Sequence, residues 1–424
     1  MSLIMQVKSL PKEVKYFVAT EALLGIGMGI LGFVLNLHFL VLGISPEQIG
    51  ALNSVGTLIM GLTSLPAGFL ANRLGRKRIF ITGIILIGMG YNLFGWGTII
   101  WVFYLAQVLT SVGVSLLITT EIQLLFSYAK TNELETLSYS LLFASFTLFS
   151  GVGTLLGGYF PSWLPFGTTK YQWAIYISAF FIGVTAVLRG ILLPCLNNGK
   201  NRNIKKIESM PIHKRILKEI DKKILLLTFY LFLMGMAFSI IIPFQNVIIK
   251  FRMGWSDEYV SYLLTINGLV LFFASMIMPW VINRFGNIKA YYYVYGINLL
   301  LTMVLSFNVP VWIFSPLFLL RSGSFTLLNN MIDSQTMSAV EENKRDLFAG
   351  MRTLLRSTGS AIASYLAGYI LENKNYLYPF LTVFIVLLIS FLYFIIFVRP
   401  IFASNAVNTK FYIEEEIQRD VEGI

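Results

Sequence analysis

Polar positions along this chain come in short clusters. Between them lie apolar runs of about 20 residues, the length a helix needs to cross a bilayer. Twelve runs are predicted as helices. Six fall near residues 16–40, 46–72, 78–98, 101–128, 137–160 and 172–194, and six near 224–249, 257–283, 289–307, 311–335, 347–371 and 376–399. Backbone groups facing lipid must pair within their own segment, so helices are the expected form. Alternating segments of about ten residues, the mark of a transmembrane barrel, do not occur. The first run, Phe17 to Leu40, is too long for a cleaved leader and is followed directly by more runs.

The one long polar stretch between runs, residues 195–223, divides the chain. The expected organisation is a six-helix half over 1–194, a cytoplasmic linker over 195–223, a second half over 224–400 and a cytoplasmic tail over 401–424. In the linker, Ile212, Ile216, Ile220 and Ile224 recur every four residues among Lys and Arg, as in a helix lying on a membrane surface. The tail carries an acidic run, Glu414 to Glu416. The halves repeat each other. Asn36 and Asn246 open related segments 210 residues apart, and Ser45 and Glu47 recur as Ser256 and Glu258 at 211. Asn72-Arg73-Leu74-Gly75 returns as Asn283-Arg284-Phe285-Gly286, and Gly157-Gly158 as Ala367-Gly368. Parallel six-helix repeats are the expected build of one large transporter class.

Composition agrees. Charged residues make up 12% of the 424, about half the roughly 25% of a soluble domain, and mean hydropathy is +0.73. The net charge of +11 is a matter of placement rather than of nucleic-acid binding. Lys8, Lys12 and Lys15, then Arg73, Arg76, Lys77 and Arg78, then the linker lysines and arginines, all fall on one side of the predicted topology. Lys170, Lys250, Arg252 and Lys374 fall on the other. By the positive-inside rule both termini and the linker are expected in the cytoplasm, with the chain in the cell membrane. A single cysteine, Cys195, allows no internal disulfide, and the distant His38 and His213 suggest no metal site. No cofactor is expected.

Gly68 to Arg78, GFLANRLGRKR, resembles the loop 2–3 signature of the major facilitator superfamily, G-x-L-a-D-r-x-G-R-K. The resemblance covers the whole chain. It implies an all-α integral membrane fold of twelve helices in a 6+6 pseudo-twofold arrangement. Helices 1, 4, 7 and 10 would line a central cavity, with alternating access by rocking of the halves. Asn72 stands where the signature has its acid, with Arg73 and Gly75 beside it as gate candidates. The family's drug exporters carry an arginine on helix 4, where this chain has Gln107 and Ser111 followed by Gly113. Their helix 5 pattern G-P-x-x-G-G reads here with Thr154 for the proline.

An ionisable group at the centre of a span costs about 2.5–3.5 kcal/mol, so each needs a reason. Glu21, Glu121, Arg321, Asp333, Arg352 and Arg356 are the candidates. Glu21, Gly25, Gly29, Gly32 and Asn36 share a face of helix 1; the glycines leave room for a substrate or for another helix. Helix 7 repeats the stripe with Leu231 for the acid, which points to a task for Glu21 as proton carrier. The bland alternative is that Glu21 reaches to the membrane interface. Glu121 is a second proton candidate or an inner-gate contact. Arg352 and Arg356, one turn apart, would meet Glu121 or Asp333 only when the cavity faces outward. Asn36, Gln107, Gln245, Asn246 and Arg321 are the substrate-cavity candidates, with outer-gate hydrogen bonding equally open for Asn36 and Asn246.

The expected function is secondary transport, with proton-coupled efflux of a small amphipathic compound by a monomer. Lipid or lysolipid flipping, and a non-transporting sensor on the same fold, are the alternatives. No enzyme site stands out, and no nucleotide loop occurs, since Gly199-Lys200 is followed by Asn201.

Overall fold

The computed structural model describes residues 10–129, 131–195, 221–341 and 344–403. Lys8, the predicted linker helix through Ile212, Ile216 and Ile220, and the acidic tail lie outside them. Twelve long helices occur among the described residues. The first six are α1 (Lys12–Val41), α2 (Pro46–Leu74), α3 (Arg76–Trp96), α4 (Ile100–Ala129), α5 (Asn132–Trp163) and α6 (Gln172–Leu192). Then come α7 (Lys222–Met253), α8 (Asp257–Phe285), α9 (Asn287–Leu305), α10 (Val311–Ser338), α11 (Arg345–Glu372) and α12 (Tyr378–Ala403). Ten are long and apolar enough to cross a membrane, eleven with α2 taken as one span bent by 49° ahead of Pro66. A proline lacks the N–H that would bridge to the preceding turn, which accounts for the bend.

α11 falls short of that apolarity for a packing reason. Its Ser and Gly residues face other helices: Ser360 Oγ donates to Gly235 O at 3.1 Å, and Gly359 lies against Phe232. Small residues let helices approach closely in lipid. α7 is not continuous as predicted. Helical order runs over Lys222–Ser239, tightens to a 3-10 turn at Ile242–Phe244 around Pro243, and resumes over Gln245–Met253. The helix also starts two residues early, because the Asp221 side chain caps it by accepting from Ile224 N at 2.9 Å.

α1 packs on α5 and α6, α2 and α3 on α4, and α3 on α6; in the second set α7 packs on α11 and α12, and α10 on α8 and α9. Across the middle, α2 meets α11 and α5 meets α8. Gly75 joins α2 to α3 with φ 92°, and Gly286 joins α8 to α9 with φ 76°. Only glycine takes this backbone region freely, so the repeat keeps it in both halves. The linker end of the bundle is the one bearing these two junctions; the other is the distal end.

Candidate transport cavity and buried charge clusters

Hydrogen bonds bind the halves at the distal end. Asn36 Nδ2 donates to Pro243 O at 2.5 Å, and Asn246 Nδ2 to Phe33 O at 2.5 Å. Asp257, 4% exposed, gathers Lys170 from the first half at 2.6 Å, Tyr171 Oη at 2.9 Å and its own-half Lys250. Tyr365 Oη donates to Glu47 at 2.6 Å, Ser162 to Glu258, and the hydroxyls of Tyr159 and Tyr262 bond each other. Asn36 and Asn246 thus sit in the distal clasp.

Beneath the clasp lies a cavity of about 490 Å³, reaching Phe143, Ser275 and Asn330 on the linker side. No charged residue lines it among the described residues. Its polar lining is Thr147, Ser150, Thr154, Gln245, Asn267 and Asn330 among others, interleaved with phenylalanines. Of the five cavity candidates only Gln245 lines it. Gln107 lies against Gly56 of α2 and reaches Ser111 Oγ on its own helix at 3.5 Å. α4 contributes nothing, whereas α1, α5, α7, α8 and α10 do. Of the expected lining helices 1, 4, 7 and 10, only helix 4 is missing, and α5 and α8 are added. The glycine stripe of α1 serves both expected purposes. A Cβ on Gly25 would stand 2.9 Å from the Phe146 carbonyl of α5, while Gly29 and Gly32 line the cavity.

Glu21 turns away from the cavity to a partner the sequence reading missed. Arg189 of α6, fully buried, donates through Nη2 to Glu21 Oε2 and through Nε to Thr20 Oγ1 at 3.0 Å. Its Nη1 lies 3.6 Å from Glu121 Oε1, and its guanidinium stands 4.6 Å and 4.9 Å from the ring centres of Phe17 and Phe80. Two carboxylates from α1 and α4 therefore share one guanidinium. Glu21 is 2% exposed and Glu121 14%. The signal was present, since Arg189 is the one charge in the run predicted for helix 6. The second half does not repeat the triad at the equivalent positions: 210 residues on stand Leu231, Met331 and Arg399, the last exposed over the Tyr292 ring.

Arg352 and Arg356 both hold Asp333 Oδ1 at 2.8 Å, and Arg356 also bonds Asn329 Oδ1 at 2.9 Å. This cluster is complete with the distal end closed. α10 and α11 are neighbours within one half, so no closure is needed. Glu121 is engaged with Arg189 instead of these arginines. Arg321 is 2% exposed, lies over the Phe325 ring at 4.8 Å, and its Nε and Nη2 have no hydrogen-bond partner among the described residues. It does not line the cavity. Asn72 and Arg73 are exposed at the linker end, while Lys77 of the same signature donates to Gly190 O at 2.8 Å and to Leu193 O.

Residues 17–363 match the Major Facilitator Superfamily. Multidrug resistance protein 2 of Bacillus subtilis (strain 168) is 23% identical over 372 residues, 84% of this chain and 88% of that protein. Multidrug resistance protein MdtH of Photorhabdus laumondii is 24% identical over 202 residues, 46% of each. Among solved structures, the nucleoside transporter NupG has a TM-score of 0.72 at 12% identity, covering 91% of this chain and 99% of that one. A bacterial homolog of the human lysosomal transporter Spinster, inward-facing and unoccupied, has a TM-score of 0.72 at 13% identity, covering 97% and 99%. At these identities the solved structures show the fold alone.

Proposed function

The chain belongs to the Major Facilitator Superfamily, a family of transporters, and from that premise we propose that it exports a small amphipathic organic compound across the cytoplasmic membrane by proton-coupled alternating access. The observation that carries the coupling is the pair of carboxylates on one buried guanidinium. With both acids ionised the triad holds a net negative charge in a medium where charge is costly; one bound proton makes it neutral. Such a group takes up one proton and gives it back as its access changes.

Glu21 is the fixed counter-ion of Arg189. Glu121 stands farther from the guanidinium and keeps some exposed surface, so it is the proton carrier. This reverses the roles first expected for the two acids. The basic residues at the linker end support a cytoplasmic linker and termini, and closure at the distal end then corresponds to an inward-facing state. Substrate enters the cavity from this state and leaves when the distal clasp opens; the proton travels the other way. The multidrug resistance names of the two curated relatives support export, and a cavity without charged groups suits a neutral or weakly polar amphiphile.

The test is a screen of amphipathic dyes against purified protein in liposomes under an imposed pH gradient. Uphill accumulation that collapses with a protonophore supports the reading. Accumulation of a compound that ignores the gradient rejects proton coupling.

A further inference from the structure

Two seams join the halves, α2 with α11 and α5 with α8, and the internal repeat relates them position by position. Midway along the first, a Cβ added at Gly61 would stand 2.6 Å from Ser357 Cβ, so the two helices touch. The positions 211 residues after Gly61 and 210 before Ser357 are Phe272 and Thr147, and both line the cavity. A phenyl ring stands in the second seam where the first has a hydrogen. Phe143 stacks on Phe272 with ring centres 6.1 Å apart and 20° between planes, and Phe143 is 41% exposed. Distally this seam closes again, where Thr265 Oγ1 donates to Gly151 O at 3.1 Å.

The cavity is placed accordingly. Among the described residues α5 and α8 supply twelve of its nineteen lining residues, and α2, α4 and α11 supply none, so it sits against one seam rather than on the axis between the halves. Outside the seam α8 presents Leu269, Phe273 and Met276, all exposed and apolar. Inside are hydroxyls and amides without a charge.

We propose that the α5–α8 seam is a lateral entrance. An uncharged single-chain amphiphile passes from the bilayer between Phe143 and Phe272. Its chain rests on the rings and its head bonds Thr147, Ser150, Asn267 and Gln245. The inference rests on the reading of the chain as a carrier of amphipathic compounds and names the class and route of that cargo. A volume of 490 Å³ falls within the roughly 300–1,000 Å³ of small-ligand sites.

The test uses a nonionic dodecyl amphiphile with a diazirine on the chain carbon next to its head, dissolved in phosphatidylcholine vesicles holding the protein. Illumination is followed by mass-spectrometric mapping. Adducts are expected on Thr147, Ser150 and Asn267 as well as on Leu269 and Phe273. Excess unlabelled amphiphile should lower the first group about tenfold, an occupancy shift worth about 1.4 kcal/mol, and leave the second unchanged. The double substitution Thr147→Ser/Phe272→Gly copies the α2–α11 seam and should remove the inner adducts. Wild-type adducts confined to Leu269, Phe273, Met276 and, on the other seam, Leu62 would overturn the proposal whatever the variant does. The labelling needs no gradient, so a failure of proton coupling leaves it intact.

Discussion

Asn36 and Asn246 stand 210 residues apart, and the carbonyls they bond, Pro243 and Phe33, stand 210 apart as well. Each asparagine donates to a backbone carbonyl of the opposite half three residues before its own counterpart. The distal clasp is therefore two copies of one contact related by the pseudo-twofold axis. On α7 the accepting carbonyl belongs to Pro243, inside the 3-10 turn that interrupts the helix.

Interhelical hydrogen bonds in membranes average about 0.6 kcal/mol. Asn36→Ala/Asn246→Ala should thus shift the equilibrium toward a distal-open state by about 1.2 kcal/mol, roughly eightfold. Spin labels at positions 163 and 259, exposed on the distal turns of α5 and α8, report the change as a longer distance population in pulsed electron resonance. An unchanged distribution would reduce the clasp to a bystander of the Asp257 cluster.

A pH effect is expected at the linker end. Burial pushes the Asp221 carboxyl up, but the Ile224 amide and the Lys344 ammonium at 2.9 Å outweigh it and hold the group below its ordinary 3.8. Stability from Asp221 is therefore present above 3.8 and lost as pH falls through the lowered value. Asp221 in turn holds Lys344 above its ordinary 10.5, so that contribution is present below 10.5 and lost as pH rises past the raised value. The pair ties the cap of α7 to the start of α11 across the whole neutral range. Melting temperatures at pH 3 to 6 should show a steeper acid decline for wild type than for Asp221→Asn.

Arg189→Leu leaves two carboxylates buried without their cation. Removing one partner of a buried pair costs about 3–5 kcal/mol, so this variant should express poorly and melt early. Adding Glu21→Gln and Glu121→Gln removes the stranded charges and should restore most of the stability, as measured by melting in detergent. Equal instability of single and triple variants would mean that Arg189 acts through its packing on Phe17 and Phe80 rather than through charge.

Twelve helices, their order and the repeat were legible because apolar length and glycine junctions such as Gly75 and Gly286 are local properties. End turns were less so: α1 begins at Lys12, where a charged turn hides from an apolar window. Pairing was not legible. Glu21 and Glu121 stand out as charges in apolar runs, yet nothing in the sequence says they face the same residue, which follows Glu21 by 168 positions. The off-axis cavity was likewise hidden. Phe272 lines it where its repeat partner Gly61 lies against Ser357, a difference that stands out only once the two seams are known to be equivalent.

Proton coupling through Glu121 is the central claim, and one comparison tests it most directly. Wild type and Glu121→Gln are reconstituted in parallel, and uphill accumulation under a pH gradient is measured beside gradient-free counterflow, using a compound the wild type accumulates. The expected result is counterflow retained and uphill transport abolished in Glu121→Gln, since the amide keeps the shape of the acid but carries no exchangeable charge. Uphill transport at the wild-type level in this variant would contradict the assignment.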